Sequence, residues 1–239
     1  MRVQCLRVLV FDIWGDYAHF RKYYTTTSPL TFSIPPRTAV CGLIGAILGL
    51  DKDDYLEKLS KKDAFIAVRA LNKIRKIRFS ENLIDTKKAG RHMNEITTRT
   101  QIRFEFLRDP RFRIYFSHQK KDLMDEFKEL ISQHKSIYTP CLGLSEHLAD
   151  FAYIGEFEGE EQVAKESIYL ESVVPESTIL KLEFEQGKEY ITEMMPVEMA
   201  ADRTVKEYSS ILFERNAHPI KAVVKNYVRL DNDGKIVFL

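Results

Sequence analysis

An α+β fold is predicted for this 239-residue chain by three features. Two apolar stretches with helical character, residues 39–50 and 122–131, are set among segments rich in β-branched and aromatic residues. Up to residue 157 these segments follow the order strand, helix, strand, strand, helix, strand, and beyond Gly159 only short strand-like runs remain.

Residues 3–13 are rich in Val, Leu and Phe and read as a first strand, central in a sheet. A polar and aromatic loop, residues 15–33, leads to Pro35 and Pro36, whose fixed φ suits the first turn of a helix over the apolar residues that follow. That helix is too short to cross a bilayer, which takes roughly 20 apolar residues. Its Gly42, Gly45 and Gly49 weaken an isolated helix but allow close approach of another backbone. Residues 64–71 and 73–79 carry β-branched residues between cations, which predicts a strand that projects beyond the sheet, with a turn around Gly90.

The return runs through residues 101–106, with Ile102, Phe104 and Phe106 on one face and Gln101, Arg103 and Glu105 on the other. After Pro110, Phe112, Ile114 and Phe116 oppose Arg111, Arg113 and Tyr115, leaving the arginines outward and available to a polyanion. Leu123, Phe127 and Ile131 recur at four-residue spacing and mark the second amphipathic helix. A Pro and Gly turn segment, residues 138–146, precedes a strand over 151–157. This element order is the ferredoxin-like one. Beyond it, runs at 167–174, 178–185, 190–197 and 209–215, and a hairpin around residues 231–234, predict a small antiparallel β module.

Composition permits one large domain or two small ones: 44% of residues are hydrophobic, 30% are charged and the net charge is +1. The balance hides an asymmetry. Residues 69–113 hold thirteen Lys or Arg against five acids, a net of +8, and residues 146–198 hold three against fourteen, a net of −11. Two differently used surfaces, or two solvated faces, would both produce this. Three scattered cysteines signal neither a disulfide framework nor a metal knuckle, and free buried thiols in a reducing cytoplasm are expected. Residues 1–15 lack the apolar core and cleavage site of a secretory signal.

Within the loop, Arg21, Lys22, Tyr23 and Tyr24 place two cations beside two rings, a pattern suited to neutralising phosphates and stacking bases. An ordinary aromatic loop is the simpler alternative. No phosphate-cradling glycine fingerprint, HExxH or CxxC occurs, so no cofactor, metal or small-molecule substrate is expected. The acid-rich residues 156–161 could bind a cation, but a solvated acidic loop is the simpler reading.

Three stretches, FDIWGDYAHFRKYYTTTSPLTFSIPPRTAVCGLIGAILGL, TQIRFEFLRDPRFRIYF and YTPCLGLSEHLADFAYIGEF, resemble, in order, the RAMP-family subunit that binds the crRNA 5′ handle in type I CRISPR Cascade complexes. The type I-B form is the most similar. The resemblance implies a ferredoxin-like (RRM-like) palm over residues 1–158, with a protruding β-hairpin thumb at about 73–99, and a C-terminal β module over 159–239. It implies as partners the crRNA handle and the Cascade backbone and large subunits. Carried onto this chain, handle contacts fall to Arg21, Lys22, Tyr23, Tyr24 and Arg37 and to the thumb cations Lys87, Lys88 and Arg91. Arg103, Arg111 and Arg113 add cations on the sheet, where a salt bridge to a nearby Glu is the competing role for any one of them.

Type I-C relatives cut pre-crRNA, which keeps a metal-independent endoribonuclease as the alternative. Tyr115, His118 and Lys120 are its candidates, since such cleavage needs a base, an acid and a cation. The competing role for His118 is a polar residue in a helix-entry turn. A third reading is a structural adaptor that holds the large subunit through its acidic half.

Overall fold

The computed structural model describes residues 5–84, 99–231 and 234–239. Strand accounts for 47% and helix for 14% of it, so the protein is more strongly β than the α+β expectation. The elements run β1 (Cys5–Trp14), β2 (Tyr17–Ala18), α1 (Arg37–Leu48), α2 (Tyr55–Lys58), β3 (Ala64–Ala70), β4 (Lys76–Ile84), β5 (Arg99–Arg108), β6 (Arg111–His118), α3 (Lys121–Ser132) and β7 (Asp150–Gln162). They continue with β8 (Ile168–Leu170), β9 (Val174–Pro175), β10 (Ile179–Leu182), β11 (Tyr190–Met199), β12 (Val205–Glu214), β13 (Ile220–Val224), β14 (Tyr227–Leu230) and β15 (Gly234–Ile236).

The main sheet has the order β15-β14-β7-β1-β6-β3, with β1 bonded antiparallel to both β6 and β7. The expected central strand is therefore central. Val8, Leu9, Val10 and Phe11 are all at 0% exposure, which requires cover on both faces. On one face Leu9, Phe11 and Ile13 pack with α1 and α3, and Phe11 meets Phe127 edge-on at 5.4 Å. On the other, Val8 and Val10 pack with Tyr115, Ala67, Val228, Leu230 and Ile236. Each such burial contributes about 1.5–3 kcal/mol.

α1 ends at Gly49, whose φ of 69° lies in the left-handed region, and the Leu50 N–H closes the turn onto the Gly45 carbonyl at 2.8 Å. Burial of Cys41 in this helix pushes its thiol up to about 11, while Cys141 is only half-buried.

Three features depart from the sequence expectation. The β14–β15 hairpin, assigned to the C-terminal module, instead extends the main sheet beside β7, because its alternating Val228, Leu230 and Ile236 complete that sheet's second face. The β11–β12 hairpin also belongs with the first part of the chain: Met195, Val197, Ile211 and Phe213 share a core with Ile34, Val40 and Leu59. The β4–β5 ladder runs from Lys76–Leu107 to Ile84–Arg99, longer on its return side than the thumb boundary predicted. The turn around Gly90, with Lys87, Lys88 and Arg91, lies outside the described residues. No helix among the described residues is long and apolar enough to cross a membrane.

Candidate nucleic-acid interface

Residues 20–32 form a narrow excursion closed by paired backbone. The Lys22 N–H donates to Leu30 O and the Phe32 N–H to Phe20 O, each at 2.8 Å, and Arg21 bridges Thr31. Its tip therefore stands out from the body. Tyr23 and Tyr24 are 56% and 59% exposed, with ring planes at 89° and centroids 5.1 Å apart. Tyr208 of β12 adds a third ring 4.9 Å from Tyr23. Arg21 is exposed and, among the described residues, donates only to the Thr25 carbonyl, at 3.1 Å. Arg21 and Tyr23 of this group line an open cleft of about 470 Å³ between the loop, α1, residues 139–144 and the end of β11.

The neighbouring cations are held differently. Lys22 Nζ lies 2.8 Å from Glu193 of β11, and both side chains are nearly buried. Burial alone would raise the Glu193 pKa, but Lys76, Lys22 and the Ser33 N–H together hold it below its ordinary value. Lys22 therefore stabilises a junction and is withdrawn from the proposed RNA contacts. Arg37 is withdrawn too. It is only 2% exposed and donates to Val197 O and Glu198 at 3.2 Å, to Leu59 O at 3.0 Å and to Ala64 O at 2.8 Å, tying α1 to β11, α2 and β3. Arg113 is drawn in by Asp12, at 2.8 Å on the adjacent strand. Arg111 reaches the same carboxylate only at 3.5 Å, lies over the Trp14 ring and stays half exposed. Arg103 is exposed on β5 opposite Ser80.

At the base of the β4–β5 ladder Phe79 stacks on Phe106 at 4.4 Å and Phe104 lies 5.7 Å from Phe106. The predicted alternation holds, but the opposite face is not simply solvent. Glu105 is buried there, bonded to Arg78 at 2.7 Å and to the Thr31 N–H at 3.4 Å. His19 and His147 pack on the same rings, and burial lowers both their pKa values.

Two of the three nuclease candidates, Tyr115 and His118, are held within the fold. Tyr115 has 0% exposure in the core of the sheet's second face. His118 Nε2 lies 2.9 Å from the Lys58 carbonyl and Nδ1 accepts the Lys120 N–H at 2.9 Å, so both ring nitrogens serve the entry to α3. Lys120 is exposed. Among the described residues no group of three or more His, Cys, Asp or Glu could hold a metal ion. Sequence reading passed over Tyr55, Tyr138 and Arg203, which line the clefts near the loop, and Tyr208, which packs on Tyr23. Tyr55 follows the acid-rich residues 51–54, and no local pattern marks it.

Comparison with known proteins places this fold among the RAMP-type CRISPR-associated proteins. A family model described as "CRISPR-associated protein (Cas_Cas5)" matches residues 8–214, and the chain belongs to that family. It is similar in fold to a CRISPR protein from Archaeoglobus fulgidus, with a TM-score of 0.61 at 12% identity over 98% of this chain and 99% of that one. A chain of a CRISPR RNA-guided surveillance complex matches with a TM-score of 0.51 at 11% identity over 89% and 91%. No curated protein matches significantly.

Proposed function

We propose that this chain is an RNA-binding subunit of a type I CRISPR interference complex, closest to the type I-B form, that grips the repeat-derived 5′ handle of crRNA in the cytoplasm. The observation that carries the reading is the exposed Tyr23–Tyr24–Tyr208 group, with Tyr23 and Arg21 lining the cleft. Tyrosines on a protruding loop expose apolar surface to water, and single-stranded RNA offers bases to stack on them, at about 1–3 kcal/mol per base. Arg21, Arg103 and Arg111 track phosphates in the same reading.

In this account β7-β1-β6-β3 with α1 and α3 form a ferredoxin-like palm, and the β4–β5 hairpin forms a thumb. The strands after residue 159 supply the second β region, and neighbouring backbone and large subunits cover the remaining faces. The chain binds RNA and leaves cleavage to another protein, a reading supported by the engagement of His118 by Lys58 and Lys120. An adaptor acting only through its acidic half finds less support, since Glu171, Glu193, Glu198 and Glu207 already pair with Arg69, Lys22, Arg37 and Lys61.

The test is incubation of the purified chain with end-labelled repeat RNA in EDTA, followed by native and denaturing gels. Shifted, intact RNA is expected. A discrete cut abolished by His118→Ala would make the chain a nuclease and overturn the proposal.

A further inference from the structure

Resting on the RNA-binding reading, the geometry points to two adjoining base-binding chambers over α1, separated by Tyr55, that take two consecutive nucleotides of single-stranded RNA. The 470 Å³ cleft behind Tyr23 has a neighbour of about 460 Å³, and both are lined by Gly42, Ala46, Tyr55 and Arg203. Each volume lies within the roughly 300–1,000 Å³ typical of ligand sites.

The floor follows from helical spacing. Thr38, Gly42 and Ala46 are four residues apart on one face, and none carries a side chain long enough to fill the space above it. Tyr55 lies across this floor. A Cβ built on Gly45 would sit 3.1 Å from the Tyr55 Cβ, so the absence of a side chain there lets Tyr55 settle onto the helix. A Cβ on Gly42 would meet the far edge of the same ring at 3.9 Å, which marks Gly42 as the open point where the two chambers join.

The walls fix the class of occupant. Arg21 and Arg203 line the first chamber, whose lining includes no carboxylate, and Lys52 stands beside Asp51 in the second. Arg203 and Lys52 form no ion pair among the described residues. Tyr138 rims the second chamber with its backbone N–H anchored on Ala46 O at 2.9 Å, and its side chain is 52% exposed. Rings and cations line the same two chambers, the combination that stacks bases and neutralises phosphates. In this arrangement a base lies on each side of Tyr55 and Arg203, common to both chambers, faces the phosphate between them.

The test uses the full-length chain and its own repeat RNA substituted with 4-thiouridine. Photocrosslinks mapped by mass spectrometry are expected at Tyr55 as well as at Tyr23. Gly42→Leu replaces glycine with a strong helix former and fills the junction. It is expected to keep or raise the Tm, weaken RNA binding about 10-fold and abolish the Tyr55 crosslink. Arg203→Gln changes an exposed residue and provides a variant that folds if Gly42→Leu does not; a loss of affinity of about 3-fold or more is expected. Crosslinks confined to other sites, with unchanged affinity in whichever variant folds, would overturn the chambers and leave handle binding standing. So would protection of Tyr55 by a neighbouring protein subunit with no RNA crosslink. Absence of any RNA binding, by the chain alone and in the assembled complex, would overturn the handle reading itself.

Discussion

Arg21 and Lys22 are adjacent in sequence and differ in use. Lys22 turns inward to Glu193, 171 residues away, where Lys76 and Ser33 also converge. Arg21 turns outward, bonded to a carbonyl four residues along its own loop. The same division separates Arg113 from Arg111, and Arg37 from Arg103. Basic residues of the first part of the chain fall into an inner set, which fastens acidic partners from distant strands, and an outer set with exposed guanidinium groups. Part of the charge asymmetry along the sequence is thus resolved inside the molecule, in the pairs Arg69–Glu171 and Lys76–Glu193.

Breaking the inner set should damage the fold before it alters RNA binding. Arg37→Met takes the guanidinium from the carbonyls of Leu59, Ala64 and Val197 and leaves Glu198 with the Lys61 N–H but no paired charge, and a loss of about 3–5 kcal/mol in unfolding free energy is expected from urea titration. Glu193→Gln should cost about 1–3 kcal/mol by the same measurement, because Lys22 loses its counter-charge in a nearly buried site while Lys76 keeps Glu105.

Changing the outer set should do the opposite. Tyr23→Ala or Tyr24→Ala is expected to weaken repeat-RNA affinity by about 1–3 kcal/mol for each stacked base lost. Unfolding free energy should stay within about 0.5 kcal/mol of the parent. A filter-binding series paired with urea melts checks both halves of the statement.

A shallower effect concerns His19 and His147, whose pKa values burial holds below the ordinary 6.5. The unfolded chain then binds more protons than the folded one as pH falls below 6.5, so stability is fully present above that value and declines toward the lower folded pKa values. Urea midpoints at neutral and mildly acidic pH should show this decline, reduced in His147→Gln.

The sequence made the scaffold readable where local pattern decides the outcome. Phe11 in an unbroken apolar run marked a strand covered on both faces, Phe127 at helical spacing marked α3, and the alternation through Phe106 and Phe116 placed β5 and β6. The exposed pair Tyr23 and Tyr24 was also legible, being flanked by polar residues in a loop. The fate of each cation was not, because it depends on a carboxylate brought from afar by tertiary pairing. Nothing near Arg37 reveals Glu198, and nothing near Lys22 reveals Glu193. For the same reason β14 and β15 looked like part of a separate module, although their apolar residues complete the second face of the first sheet.

The most direct measurement is the salt dependence of repeat-RNA affinity for Arg21→Met and Lys22→Met side by side. Each phosphate contact on a single strand contributes about 0.7 to the slope of log K against log salt. Arg21→Met should flatten the slope by that amount with no change in unfolding free energy, while Lys22→Met should leave the slope unchanged and lower the stability. A flattened slope for Lys22→Met, with none for Arg21→Met, would contradict the division between inner and outer cations.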